Sequence, residues 1–191
     1  MRNFFTRGCI ALASISFCGI ASAHPGHGTG LMAGVAHPLL GFDHLLAMVA
    51  VGVWAFQLGG RARWMVPLSF VTLMAAASAI GMAGIALPMV ESGIAMSVLM
   101  LGLLIAFSVR VMPMFAAAIV ALFAIFHGYA HGAEMGGFGS AWQYAFGFTL
   151  ATAALHGLGL MLGAGFNKQA WWQRVAGVSV AASGIWMIAG L

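Results

Sequence analysis

Residues 112–131 read MPMFAAAIVALFAIFHGYAH. The stretch has no Asp, Glu, Lys or Arg, and its length matches the ~20 residues an α-helix needs to cross a hydrocarbon core. It is therefore expected to be a transmembrane helix, with His127 and His131 near one end. Working outward, five further apolar stretches are expected to be spans, at 31–58, 64–87, 92–109, 141–162 and 171–191. The expectation is an all-α, polytopic membrane helix bundle of six transmembrane helices, forming one domain over residues 24–191. The 31–58 stretch is long for one straight span and contains His37-Pro38 and Gly41, so it reads either as one helix or as two pieces.

Composition agrees with this class. Of 191 residues, 63% are hydrophobic and 5% charged, whereas a soluble domain carries about 25% charged residues. The net charge of +4 does not point to nucleic acid, because seven basic residues scattered along the chain make no patch. Residues 1–23 read as a cleaved secretory signal peptide: Arg2 and Arg7, an apolar run over 10–20, then Ala21-Ser22-Ala23 as a small-x-small cleavage site. The alternative is an uncleaved first helix. Cys9 and Cys18 leave with the signal, so the mature chain has neither disulfides nor thiolate ligands.

Six spans after a cleaved signal put both termini outside and three connections in the cytoplasm. Those connections hold Arg61 and Arg63, then Arg110, then Lys168 and Arg174, which are all the Lys and Arg of the mature chain. This is the positive-inside pattern of a bacterial-type inner-membrane protein. Gly159 and Gly163, and Ala75, Ala79 and Ala83, have the four-residue spacing that lets membrane helices approach closely. Trp171 and Trp172 fit an interfacial aromatic belt. The 14 Met read as packing filler rather than as a copper relay.

An ionisable group in a span asks for a reason, since Asp at a helix centre costs roughly 3 kcal/mol on insertion scales. His37, Asp43 and His44 form a first cluster. On a continuous helix His37 and His44 share a face. If Pro38 and Gly41 break the helix, unwound backbone faces a cavity, as at transporter sites. Asp43 could instead cap the second half-helix. His127, His131 and Glu134 form a second cluster on one helical stripe. Two imidazoles and a carboxylate suit a shared divalent Ni, Co or Zn ion, and the alternative is an interhelical hydrogen-bond network. His156 stands alone in the fifth span, and Glu91 reads as solvated near the outer interface. Helical rise places these groups in the outer half and middle of the bundle, where a cation from outside meets them first. His131 lies nearer the outer surface than His127, with Glu134 at the mouth, and if His131 is peripheral its loss is expected to matter less. His24 and His27, at the mature N-terminus, are candidate capture residues.

The chain resembles the HupE/UreJ family of membrane proteins, associated with nickel supply to hydrogenases and ureases. The resemblance rests on His37-x5-Asp43-His44, on Phe126-His127-Gly128-x-Ala130-His131-Gly132-x-Glu134, and on Gly147-Phe148 through Ala151-Thr152 to His156. It implies a secondary permease that carries Ni2+ or Co2+ as substrate, with no permanently bound cofactor, with His37, Asp43 and His44 essential and His127, His131 and Glu134 as the second motif. One departure is Gly136 after Met135, where similar sequences carry Pro, which puts the outer end of the fourth helix in question. The expected partners are a divalent metal ion, membrane lipid and downstream nickel-enzyme maturation proteins, with no nucleic acid and with room for a homo-oligomer. Lys168 is followed by Gln169, so no phosphate-binding loop is present. Two other classes remain. A haem-binding electron-transfer subunit is disfavoured by Asp43 beside His44. An intramembrane metal-dependent hydrolase would use a similar donor set.

Overall fold

The computed structural model describes residues 30–135, 140–166 and 170–191. The signal segment, His24 and His27, Gly136 and Lys168 lie outside the described residues. Seven helices are present among those described: α1 (Leu31–Leu40), α2 (Phe42–Leu58), α3 (Ala62–Met82), α4 (Val90–Ala106), α5 (Pro113–Glu134), α6 (Ala141–Phe166) and α7 (Ala170–Ala189). There is no strand among the described residues. The protein is all-helical, as its composition requires: within a membrane, a helix satisfies its own backbone polar groups.

By length and composition, α3, α5 and α6 can each cross a membrane, and α1 with α2 make a fourth candidate, bent by 81° at the break. α4 is a shorter apolar helix of 17 residues. The six expected stretches correspond to α1–α2, α3, α4, α5, α6 and α7, with ends shifted by a few residues. α5 runs through Glu134, so Gly136 does not shorten the helix that carries the second motif.

Of the two readings left open for residues 31–58, the broken one holds. Pro38 lacks the amide that would bond back one turn, and α1 ends two residues later. Gly41 is extended at φ −72°, ψ 109°; its amide donates to the His37 carbonyl at 2.9 Å and its own carbonyl accepts from the Leu45 amide at 2.8 Å. Asp43 is not the cap of α2, since Gly41 holds that position. At the other end of α2, Gly59 takes φ 74°, a left-handed value that glycine adopts without strain.

α2 is the central helix. Ala47, Met48, Val51, Trp54 and Ala55 are fully buried, packed among α3, α4 and α6. Close approach depends on glycine. A Cβ on Gly128 would collide with the Met74 carbonyl, and one on Gly132 with the Ser78 carbonyl, so α3 and α5 lie backbone to backbone. Gly52 and Gly159 do the same for α2 and α6, and Gly102 and Gly177 for α4 and α7. Gly159 therefore packs as its spacing suggested, and Gly163 meets Phe56. Ala75, Ala79 and Ala83 do not: all three are exposed, and the face of α3 that meets α5 carries Met74, Ser78 and Gly81. Leu68, Leu122, Phe146, Leu150 and Met161 point outward, the apolar exterior that lipid requires. Trp171 and Trp172 are exposed and stacked at 3.9 Å, in keeping with an aromatic belt.

The Arg residues among those described gather at one end. Arg63 and Arg110, with Ser108, Gln57 and Gln173, line a cavity of about 380 Å³ where α2 ends and α3, α5 and α7 begin. The His and carboxylate clusters are at the opposite end, where α1 meets the start of α2 and the end of α5.

Candidate metal centre

The bend at Gly41 is what builds this site. It turns α1 across the mouth of the bundle and brings His37 over His44, with ring centroids 5.6 Å apart. α5 supplies the third ring: His131 lies 4.8 Å from His37 and 4.6 Å from His44. Donor nitrogens of His37, His44 and His131 all fall within 4.8 Å of one another. Two nitrogens bound to one ion at ~2.1 Å each lie at most ~4.2 Å apart. The widest pair must therefore close by at least about half an ångström to share an ion, and by about 1.4 Å for tetrahedral angles, a movement that side-chain rotation supplies.

His131 lies one turn nearer the mouth than His127, as its place on α5 implies, but it is not peripheral. It is fully buried, stacked on Phe148 at 4.6 Å, and touches both other rings. Helical rise gives depth along α5 and not burial, which here comes from α1 lying bent over the end of α5.

Each carboxylate touches a histidine. Asp43 Oδ1 accepts from the His44 amide at 2.7 Å and lies 2.8 Å from His44 Nδ1. An ionised carboxylate can only accept, so the ring proton sits on Nδ1 and the lone pair on Nε2. That Nε2 is buried with no hydrogen-bond partner among the described residues. A carboxylate behind a histidine, fixing its tautomer and raising its basicity, is the usual support of a metal-ligating imidazole. Glu134 Oε2 lies 3.0 Å from His37 Nε2, and about half of its side chain is exposed, at the mouth. Gly41 allows this crowding: a Cβ there would sit 3.2 Å from Asp43 Oδ1 and 3.4 Å from His44 Nδ1.

His127 lies one turn deeper on α5, 4.8 Å from His44 by ring centroids. Phe70 packs against both His127 and His156, at 5.6 Å from the first and 5.2 Å from the second. His156 is not part of the converging trio, and both its ring nitrogens are buried with no partner among the described residues. Buried polar atoms normally have partners, so this run of bare imidazole nitrogens suits a ligand that brings its own charge. The seven expected site residues thus form a trio with its two carboxylates, then His127, then His156. Glu91 is exposed in the first turn of α4, as expected.

Four participants were not named as site residues from sequence: Ser97, which contacts His127 at 2.8 Å, and Phe70, Tyr144 and Phe148 around the rings, Phe148 having entered only within the third familial motif. A signal existed for two of them. Tyr144, Phe148, Thr152 and His156 recur every four residues on α6, and all are buried. Ser97 and Phe70 carry no such mark.

Buried imidazoles backed by two partly exposed carboxylates, at one end of a lipid-facing helical bundle, define an integral membrane protein with a polar site between its helices. The family model for HupE / UreJ protein matches residues 12–187. Protein HupE of Rhizobium leguminosarum bv. viciae is 48% identical over 182 residues, covering 94% of this chain and 95% of that protein. The chain belongs to the HupE/UreJ family. No solved structure matches it.

Proposed function

We propose that this chain is a secondary permease that carries a divalent transition metal, Ni2+ or Co2+, inward across the bacterial inner membrane. Family membership supports the coarser role, nickel or cobalt transport in the service of hydrogenases or ureases. The observation that carries the finer reading is the trio of His37, His44 and His131, whose nitrogens converge while buried nitrogens of His44 and His131 have no partner among the described residues.

The donor set fits a borderline cation. Imidazole nitrogen suits Ni2+ and Co2+, and the mature chain offers no thiolate. Neutral imidazoles alone would leave a dication uncompensated in a low-dielectric site; Asp43 and Glu134 supply the two negative charges. On this reading Glu134 and His37 receive the ion at the mouth, the trio strips its water, and His127 and His156 lead it inward. A divalent ion moving inward gains about 4.6 kcal/mol per 100 mV, on the order of a thousandfold in concentration, so no motor is needed.

We read the chain as a carrier and not an enzyme. The Ser97 hydroxyl donates to the Ile94 carbonyl at 2.7 Å, so it is not primed as a nucleophile by His127. Rings as close as 4.6 Å leave no slot for a porphyrin, which argues against haem. Six spans with both termini outside remain our topology, supported by Arg63 and Arg110 sharing the end opposite the histidines. Gly139→Cys should then be labelled from outside and Gly60→Cys should not.

The test is uptake of radiolabelled nickel and cobalt into vesicles holding the purified protein, with the interior negative. Saturable, potential-driven uptake of at least one metal is expected. Rates equal to protein-free vesicles for both metals would end the permease reading.

A further inference from the structure

Ser97 makes two short contacts with one proton. Its hydroxyl oxygen lies 2.7 Å from the Ile94 carbonyl oxygen and 2.8 Å from His127 Nε2. The carbonyl can only accept, so the hydroxyl proton belongs there. The second contact is then a hydrogen bond only if His127 Nε2 carries a proton and donates it to Ser97. In a neutral imidazole that places the lone pair on Nδ1. His127 Nδ1 is buried with no partner among the described residues, and the His127 side chain is fully buried.

The neighbouring ring is set the other way. Asp43 keeps the proton of His44 on Nδ1 and leaves Nε2 bare. Two rings 4.8 Å apart thus have their protons fixed on opposite nitrogens by two partners from different helices, Asp43 on α2 and Ser97 on α4. We propose that Ser97 is a positioning residue: by accepting the Nε2 proton of His127 it commits Nδ1 of that ring as the next metal donor beyond the His37–His44–His131 trio. The metal in this inference rests on the permease reading; the tautomer does not. Without Ser97 the proton is free to move to Nδ1, and the ring then presents an N–H where a cation needs a lone pair.

The consequence is kinetic. Entry ligands remain intact in Ser97→Ala, so the KM for nickel should hold. The maximal rate should fall about tenfold, the lower end of what loss of a support behind a metal ligand causes. Ser97→Thr retains the hydroxyl and should recover most of that rate. A loss of folded protein would also lower the maximal rate at constant KM, so rates are normalised to folded protein in the membrane, and recovery in Ser97→Thr together with the tautomer of His127 separates the two causes.

The direct test is 15N NMR of the full chain, histidine-labelled, in lipid bilayers, with His127→Gln used to assign the signal. Wild type should show a protonated Nε2 and a bare Nδ1 at His127, and adding Co2+ should perturb the Nδ1 resonance. Ser97→Ala should show both tautomers. A wild-type Nδ1–H, an Nδ1 resonance indifferent to Co2+, or a Ser97→Ala protein with wild-type maximal rate would each overturn the proposal. If wild type carries neither metal while its tautomer and its response to Co2+ are as expected, the permease reading fails and the assignment of Ser97 stands.

Discussion

At the end of the bundle where α1, α2 and α5 meet, four buried ring nitrogens of His44, His127 and His131 have no partner among the described residues. At the opposite end the polar side chains bond one another and the backbone. Gln57 Nε2 donates to Gln173 Oε1 at 3.0 Å and to the Ile105 carbonyl at 3.2 Å, Gln173 Nε2 to the Gly163 carbonyl at 3.3 Å, and Trp54 Nε1 to the Val109 carbonyl at 3.1 Å. There, Gln57 Oε1 is left over. Both ends bury polar atoms, but the second is a self-satisfied brace between α2, α4 and α7, and the first is completed only by something brought in. Unpaired buried groups cost about 1–3 kcal/mol each, and a fold bearing several in one place is poised for a ligand.

Substitutions at the two ends should act differently. The largest effect is expected for Asp43→Asn. It keeps the shape, removes the charge and frees the His44 tautomer, so uptake should fall about a hundredfold or more while the protein remains in the membrane. Loss of the protein instead of the rate would make Asp43 a structural residue. His131→Ala comes next. Its place inside the trio, rather than at the rim, gives an expected loss of about 10–100-fold in initial uptake at limiting nickel, equal to that of His44→Ala. A mild effect would return His131 to the periphery.

A smaller, mechanical effect is expected at the glycines behind the histidines. Gly132→Ala forces the Ser78 carbonyl and hence α3 away from α5, at about 1–3 kcal/mol, and should lower the melting temperature in detergent. Gly157→Ala meets nothing within 4 Å and should melt like wild type. The smallest effect on uptake belongs to the opposite end. Gln173→Ala should destabilise by about 1 kcal/mol and leave the uptake rate unchanged. A rate that falls with Gln173→Ala would extend the metal path to the basic end.

Much of this was legible in the chain. Long apolar stretches with few charges specify helices in lipid, and histidines and carboxylates in such stretches stand out because burying them is expensive. The trio was less legible. His37, His44 and His131 come together only because the chain breaks at Gly41, and Pro38 with Gly41 left both a straight and a bent helix open. The same break hid the burial of His131. The glycines of the second motif had an unread meaning: Gly128 and Gly132 recur every four residues beside His127 and His131, and they set α5 against α3 so that the imidazoles face inward. The alanine spacing on α3 misled because small residues also occur on lipid-facing surfaces. Ser97 had no sequence signal, since a lone serine in a span is ordinary and its partner lies on another helix.

Binding of one divalent ion by His37, His44 and His131 is visible in X-ray absorption at the nickel edge of the purified, nickel-loaded protein. Wild type should show the outer-shell scattering of several imidazoles around nickel, reduced in His44→Ala and in His131→Ala and unchanged in Gln173→Ala. A nickel environment of oxygen donors alone, or one identical in wild type and His131→Ala, would contradict it.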